Sequence, residues 1–135
     1  MGLERLDHIN VNTTQLDKLK AFYSDVLGMA PGPRPNFSFG GAWMYCGGRP
    51  AVHLVERAKL EPVHGDLKLQ HFAFAAKGLG EFLARLSQLD VPYRVGILDD
   101  FEICQINLTD PDGNHLHVDF PLAEARELGV ERTPR

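Results

Sequence analysis

The sequence predicts an α+β fold of two βαβββ modules whose curved mixed sheets form a cup. Two observations carry this prediction. First, His8 and His71 occupy the same Leu-x-His-apolar-x-apolar pattern, and His53 and His117, each between apolar neighbours, are separated by almost the same length of chain. Second, each half of the chain runs from a strand-like segment through a helical pattern to three short strand-like segments. Such a repeat in a chain of 135 residues indicates a duplicated unit.

The first module is predicted to span residues 3–56. Its helix should lie between Thr14, as N-terminal cap, and Gly28, which suits the position just past a helix end. Residues 30–36 contain three prolines and a glycine, which predicts a loop. Alternating or short apolar segments predict strands at 5–11, 37–39, 42–46 and 51–55.

The second module, residues 68–121, repeats this order. An amphipathic helix is predicted from Leu79 to Leu89, ended by Asp90 and Pro92. Residues 109–114, Thr-Asp-Pro-Asp-Gly-Asn, are a strong turn signal between the last two strands. The predicted strands are 69–76, 93–95, 103–108 and 115–120.

The remaining segments connect or follow the modules. The polar residues 57–67 are predicted to be a linker, 122–128 a short helix and 131–135 a disordered tail. We expect the two modules to build a single domain over residues 1–135, because a chain of this length is enough for one ordinary core or two small modules sharing one.

Charge and composition narrow the function classes. The net charge is −4 and the cations are not clustered, which argues against a nucleic-acid surface. No apolar run approaches the roughly 20 residues of a membrane helix, and no signal-peptide segment opens the chain. The two cysteines, Cys46 and Cys104, have no CxxC partner and are predicted to be reduced core residues. A cytoplasmic protein is therefore expected, with no nucleic acid or membrane as partner.

The histidines are the candidate metal ligands. Side chains alternate between the two faces of a strand, so all four repeated histidines can lie opposite the bulky apolar packing. Small neighbours, Ala73 and Ala75, would leave room for a ligand there. Neutral imidazole binds zinc, iron, nickel and copper, and three ligands with an open position make a catalytic site. An ordinary hydrogen-bonded strand residue is the alternative for each histidine taken alone. His115 and Asp119 share a face with His117 and are alternatives for completing the site.

Four segments resemble the vicinal oxygen chelate superfamily, which includes glyoxalases, bleomycin resistance proteins and extradiol dioxygenases. They are Leu-Asp-His-Ile at 6–9, Ala-Phe-Tyr-Ser-Asp-Val-Leu-Gly-Met at 21–29, Gln-His-Phe-Ala-Phe at 70–74 and Asp-Pro-Asp-Gly-Asn at 110–114. The resemblance extends over nearly the whole chain. It implies metal ligands at His8, His53, His71 and His117. The family usually has glutamate at the last of these positions, so this chain departs from the pattern there.

The resemblance also implies a function. It predicts a metal-dependent enzyme of the glyoxalase/dioxygenase type (a lyase, isomerase or ring-cleaving dioxygenase) acting on a small oxygen-chelating substrate. The cofactor would be a divalent ion, Fe, Zn, Ni or Mn, and the expected assembly is a homodimer, with modules joined within one chain or across two. The alternative is a bleomycin-resistance-like protein that binds a small molecule without catalysis. No catalytic base is singled out. The candidate pocket residues, for which ordinary packing or surface polarity is the competing interpretation, are Asn10, Trp43, Tyr45, Gln105 and Asp119.

Overall fold

The computed structural model describes residues 1–134 and divides the chain into two compact units, Met1–Val63 and His64 onward. Each unit is a βαβββ module with one four-stranded mixed sheet, which confirms the predicted fold class. In each sheet the first and last strands of the module are parallel neighbours and the other pairings are antiparallel. The single domain over residues 1–135 stays a prediction.

The first unit packs one helix against one face of its sheet. Its order of strands across the sheet is β1-β4-β3-β2. The core between helix and sheet contains Leu19 and Tyr23 from the helix and Met44, Val52 and Leu54 from the strands, all fully buried. The elements are β1 Ile9–Thr13, α1 Leu16–Ala21 continued by a π-helical turn Phe22–Val26, β2 Ala30–Gly32, β3 Gly41–Cys46 and β4 Arg49–Glu56.

The start of α1 differs from the prediction. Thr14 does not cap it; the cap position is Gln15, without a side-chain cap bond. The hydroxyl of Thr13 instead accepts a hydrogen bond from the backbone N–H of Gln15, at 3.0 Å, because Thr13 is fully buried at the end of β1. At the other end Gly28 has φ +73°, the left-handed conformation that favours glycine after a helix, as predicted.

Between residues 30 and 39 the structure differs from both predictions, the loop at 30–36 and the strand at 37–39. Ala30–Gly32 pairs with β3 as an edge strand, where a proline costs little. Gly32 is required there because a Cβ would lie 2.6 Å from the Tyr45 ring. The predicted strand at 37–39 is absent. Phe37 and Phe39 instead stack on each other, with ring centroids 4.8 Å apart, so their apolar alternation reflects a local aromatic contact.

The second unit repeats this architecture with an added helix. Its strands are ordered β5-β8-β7-β6. Its fully buried residues include Ile106, Leu116 and Cys104 from the strands and Leu79 and Leu86 from the helix that follows its first strand. The elements are β5 His71–Ala75, α2 Leu79–Gln88, β6 Arg94–Leu98, β7 Ile103–Thr109, β8 His115–Pro121 and α3 Leu122–Leu128, with a 3₁₀ turn at Asp99–Phe101.

The predicted turn of this unit forms, whereas the predicted disorder of its tail is not observed. Asp110 accepts hydrogen bonds from the backbone N–H groups of Asp112 and Asn114, which closes the predicted turn. The predicted disorder of 131–135 is wrong for residues 131–134, and Arg135 lies outside the described residues. Thr133 exchanges two hydrogen bonds with Val95, so this segment covers the free edge of β6.

Candidate metal centre

The first unit brings His8 and His53 together as the first imidazole pair. In the ladder His53 lies between Asn10 of β1 and Trp43 of β3, so these three side chains share one face. The rings of His8 and His53 are stacked, with centroids 3.8 Å apart and planes within 9°. Trp43 stacks on His53 at 3.9 Å. The result is a stack of rings on the sheet face opposite the core.

Hydrogen bonds orient both rings of this pair. Nδ1 of His8 lies 2.8 Å from a carboxylate oxygen of Asp7, so Nδ1 carries the proton and Nε2 presents its lone pair. Nε2 of His53 donates to the carbonyl of Pro50 at 3.0 Å, which leaves Nδ1 as its acceptor nitrogen. Burial lowers the pKa of His53 and favours its neutral form. A neutral imidazole with one bonded N–H is the form that binds a metal.

The second unit brings His71 and His117 together as the second imidazole pair. Ala73 and Asn107 flank His117 in the ladder, and the His71 ring lies 4.9 Å from the His117 ring. Nδ1 of His117 donates to Asp119 at 2.6 Å, and Nδ1 of His71 donates to the side-chain oxygen of Gln70. Both rings therefore present Nε2 with the other nitrogen bonded, as metal-ligating histidines do.

His115, the sequence's alternative to His117, has both ring nitrogens occupied. Gln70 donates to its Nδ1 at 3.2 Å, and its Nε2 donates to Asn107 at 2.9 Å. Burial lowers the pKa of His115. A ring bonded at both nitrogens would have to break a hydrogen bond before it could bind a metal.

The two pairs occupy equivalent positions in their sheets. His8 stands two residues before Asn10, which pairs with His53, and His71 stands two residues before Ala73, which pairs with His117. The matched spacing in sequence therefore corresponds to a shared register. Among residues 1–134, no group of three or more His, Cys, Asp or Glu side chains is arranged to hold a metal ion.

The predicted pocket residues fall on the same faces as the pairs. Trp43 and Asn10 neighbour His53, while the hydroxyl of Tyr45 donates to the carbonyl of Pro33. Gln105 pairs with Asp119 across β7 and β8.

Sequence reasoning missed three partners that orient the rings: Asp7, Gln70 and Asn107. The first two directly precede His8 and His71 in the repeated motif, which was an available signal. No sequence motif indicated Asn107, because only the β7–β8 register brings it to His115.

The sequence profile of the glyoxalase/bleomycin resistance protein/dioxygenase superfamily matches residues 5–118, which is most of the chain and both modules. The chain belongs to this superfamily. Members of the superfamily are generally metal-dependent, bind small-molecule substrates and often form dimers. No curated protein matches the chain at a significant level of sequence similarity.

Solved structures of the superfamily share the fold. A candidate glyoxalase family protein from Bacillus anthracis aligns with a TM-score of 0.73 and 22% identity, over 90% of this chain and 98% of that one. Lactoylglutathione lyase from Agrobacterium tumefaciens aligns with a TM-score of 0.67 and 22% identity, over 88% and 95%. Fosfomycin resistance protein FosX from Listeria monocytogenes aligns with a TM-score of 0.69 and 18% identity, over 93% and 99%. These likenesses show the common fold.

Across the part of the chain that the structure describes, none of the helices has the length and apolar character needed to span a membrane.

Proposed function

We propose that this protein is a metal-dependent enzyme of the glyoxalase/dioxygenase type, acting on a small substrate that chelates the metal through two neighbouring oxygens. The ligands of the divalent ion (Fe, Zn, Ni or Mn) would be His8, His53, His71 and His117. The observation that carries the proposal is the hydrogen bonding of the rings: each of the four bonds a side chain or a backbone carbonyl through one nitrogen, which leaves the other for a metal. The stacked rings of His8 and His53 would have to turn relative to each other to share one ion.

The chemistry of the donor set fits a divalent ion. Four neutral imidazoles leave the positive charge of the ion uncompensated by its ligands, and two nearby carboxylates, Asp119 and Asp7, balance it through the rings they orient. The hydrogen bond from His8 lowers the pKa of Asp7, so this carboxylate stays ionised. A bound ion would supply Lewis acidity and stabilise negative charge that develops on a substrate oxygen. The chain's own residues would fix the tautomers, position the rings and stack Trp43 beside the substrate.

A metal-affinity measurement on two matched variants tests the ligand assignment. His117→Ala should weaken Zn²⁺ or Ni²⁺ binding by more than about 100-fold, because it removes a ligand together with its carboxylate support. His115→Ala should change the affinity less than about threefold, since His115 already spends both nitrogens on hydrogen bonds. Equal effects of the two substitutions would contradict the assignment.

The competing function is small-molecule binding without catalysis, as in bleomycin resistance. The apolar and aromatic side chains near the first imidazole pair are compatible with catalysis and with binding alone. Purification without chelators or a histidine tag, followed by elemental analysis, separates them: the enzyme should retain close to one divalent ion per site. Screens for lactoylglutathione formation, isomerisation and catechol ring cleavage with each metal would then identify the reaction. A metal-free protein that stays inactive with all four ions would support the binder.

A homodimer is part of the proposal, and the four ligands would come from one chain or from two. Mixing His8→Ala chains with His71→Ala chains distinguishes these arrangements. If each site draws one pair from each chain, the heterodimer contains one intact site and recovers metal binding. If each site draws both pairs from one chain, no intact site forms.

A cytoplasmic location also belongs to the proposal. It is supported by the two free cysteines, Cys46 exposed and Cys104 buried, which suit a reducing compartment.

A further inference from the structure

A cavity of about 590 Å³ lies beside the second imidazole pair, within the second unit. Asp119, whose carboxylate holds the ring of His117, also lines this cavity. Asp119 stands two residues from His117 on the same strand face, so the Cα atoms of these residues lie roughly 7 Å apart. The volume of the cavity is in the range of about 300–1,000 Å³ that small-molecule sites occupy. The cavity therefore shares one residue, Asp119, with the surroundings of the second imidazole pair.

The walls of this cavity are mainly apolar. They come from the ends of β5 and β8, the start of β7 and α3, and include Ile103, Leu122 and Ala123. Phe101 lines it while remaining 77% exposed, an unusual exposure for a phenylalanine. The cavity also contains two cationic and two anionic side chains, which cancel in formal charge: Lys77, Arg126, Glu102 and Asp119. These walls suit an uncharged apolar group better than an ion.

Backbone hydrogen bonds hold the segment around Phe101, the 3₁₀ turn and Glu102, in place. Glu102 adopts φ +53°, and its N–H donates to the carbonyl of Asp99 at 3.2 Å. Its own carbonyl accepts from the N–H of Leu122 at 2.9 Å, which ties the segment to α3. The fixed backbone keeps the aromatic wall in place without a ligand, as expected for a largely pre-formed site.

A second cavity, of about 280 Å³, lies at the other end of the same sheet face. Its lining includes Arg94, Asn107, Thr109 and His115, and its volume falls just below the range of about 300–1,000 Å³ that small-molecule sites occupy. The larger cavity is therefore the better place for a substrate substituent.

We propose that the larger cavity binds an apolar arm of the substrate, so that the substrate is an oxygen chelator bearing an alkyl or aryl chain. This inference rests on the proposed function, because the chelating oxygens are assigned to the metal. The arm would cover Phe101 and pass Asp119, while the oxygens lie at the imidazoles.

Two hydroxamates test this inference on Zn²⁺-loaded protein. Acetohydroxamate chelates through two oxygens and has no arm, whereas 4-phenylbutanohydroxamate adds one. The longer probe should bind at least about tenfold more tightly, since it buries its chain and ring. Ala123→Trp, which fills the cavity from α3, should reduce this advantage to less than about threefold and leave acetohydroxamate binding unchanged. Ala84→Trp is the matched control, because Ala84 is also exposed on a helix but does not line the cavity.

Phe101→Ala provides a second variant that removes a wall instead of filling the space. Because Phe101 is largely exposed, its loss should not impair folding, and we expect the advantage of the longer probe to fall about fivefold. An advantage that survives in both variants, or that is absent from the wild-type protein, would overturn the inference while leaving the proposed function intact. If acetohydroxamate itself does not bind, the proposed function fails, and this inference fails with it.

Discussion

Replacing Asp119 with asparagine should weaken metal binding without removing any ligand. Asp119 accepts the Nδ1 proton of His117 at 2.6 Å, and its side chain is only 23% exposed. A hydrogen bond to a charged group contributes about 1.5–3 kcal/mol and a neutral one about 0.5–1.5 kcal/mol. Asparagine keeps the shape and an acceptor oxygen but loses the charge, so the difference is about 1–2 kcal/mol. This corresponds to roughly a tenfold weaker affinity for the ion.

Thermal unfolding with and without Zn²⁺ measures this loss. At a free ion concentration of about 100 times the dissociation constant, binding stabilises the folded protein by about 2.7 kcal/mol. A tenfold weaker Asp119→Asn variant would retain about 1.4 kcal/mol at the same concentration, measured relative to the unfolding of its own metal-free form. Asp66→Asn, at an exposed linker position, serves as the control. Identical metal-induced stabilisation in the wild-type protein and Asp119→Asn would refute the assigned role of this carboxylate.

Three further outcomes are expected. Because the pKa of His53 is lowered in the folded protein, the unfolded chain is protonated first on acidification, near pH 6.5, and the free energy of unfolding should fall below that pH. His53→Phe should reduce this fall, and the fluorescence of Trp43 can follow unfolding. Ellman's reagent should modify Cys46 in the folded protein and Cys104 only after denaturation, because Cys104 is fully buried and burial raises the pKa of its thiol. Rapid modification of both cysteines in the folded protein would contradict this expectation. Deleting residues 131–135 should lower the free energy of unfolding in urea by about 1–2 kcal/mol, mainly through the two lost hydrogen bonds between Thr133 and Val95, because the two that involve Arg94 and Arg132 are exposed. Unchanged stability would show that the segment does not stabilise the fold.

The repeated histidines were predictable because strand periodicity is local. The alternation of side chains places His71 with Ala73 on one face of β5. β1 begins at Ile9, later than the predicted strand at 5–11, so His8 directly precedes its strand. The nearly equal spacing of the histidines in the two halves then anticipates the shared register, in which Asn10 pairs with His53 and Ala73 with His117. The turn at 109–114 was equally accessible, because Asp110 bonds to its own neighbours.

Features that depend on distant residues were not predictable in this way. The edge strand Ala30–Gly32 exists because β3 offers a partner, although its own composition indicates a loop. The tail is ordered by Val95, far away in sequence. Similarly, only the sheet register shows that Asn107 lies where it accepts a hydrogen bond from Nε2 of His115.

X-ray absorption spectroscopy of the Zn²⁺-loaded, untagged protein tests the ligand set most directly. Coordination by His8, His53, His71 and His117 predicts at least three imidazole nitrogens at about 2.0–2.1 Å, with the multiple-scattering pattern of histidine rings. A first shell of oxygen or sulfur atoms, with at most one imidazole, would contradict it.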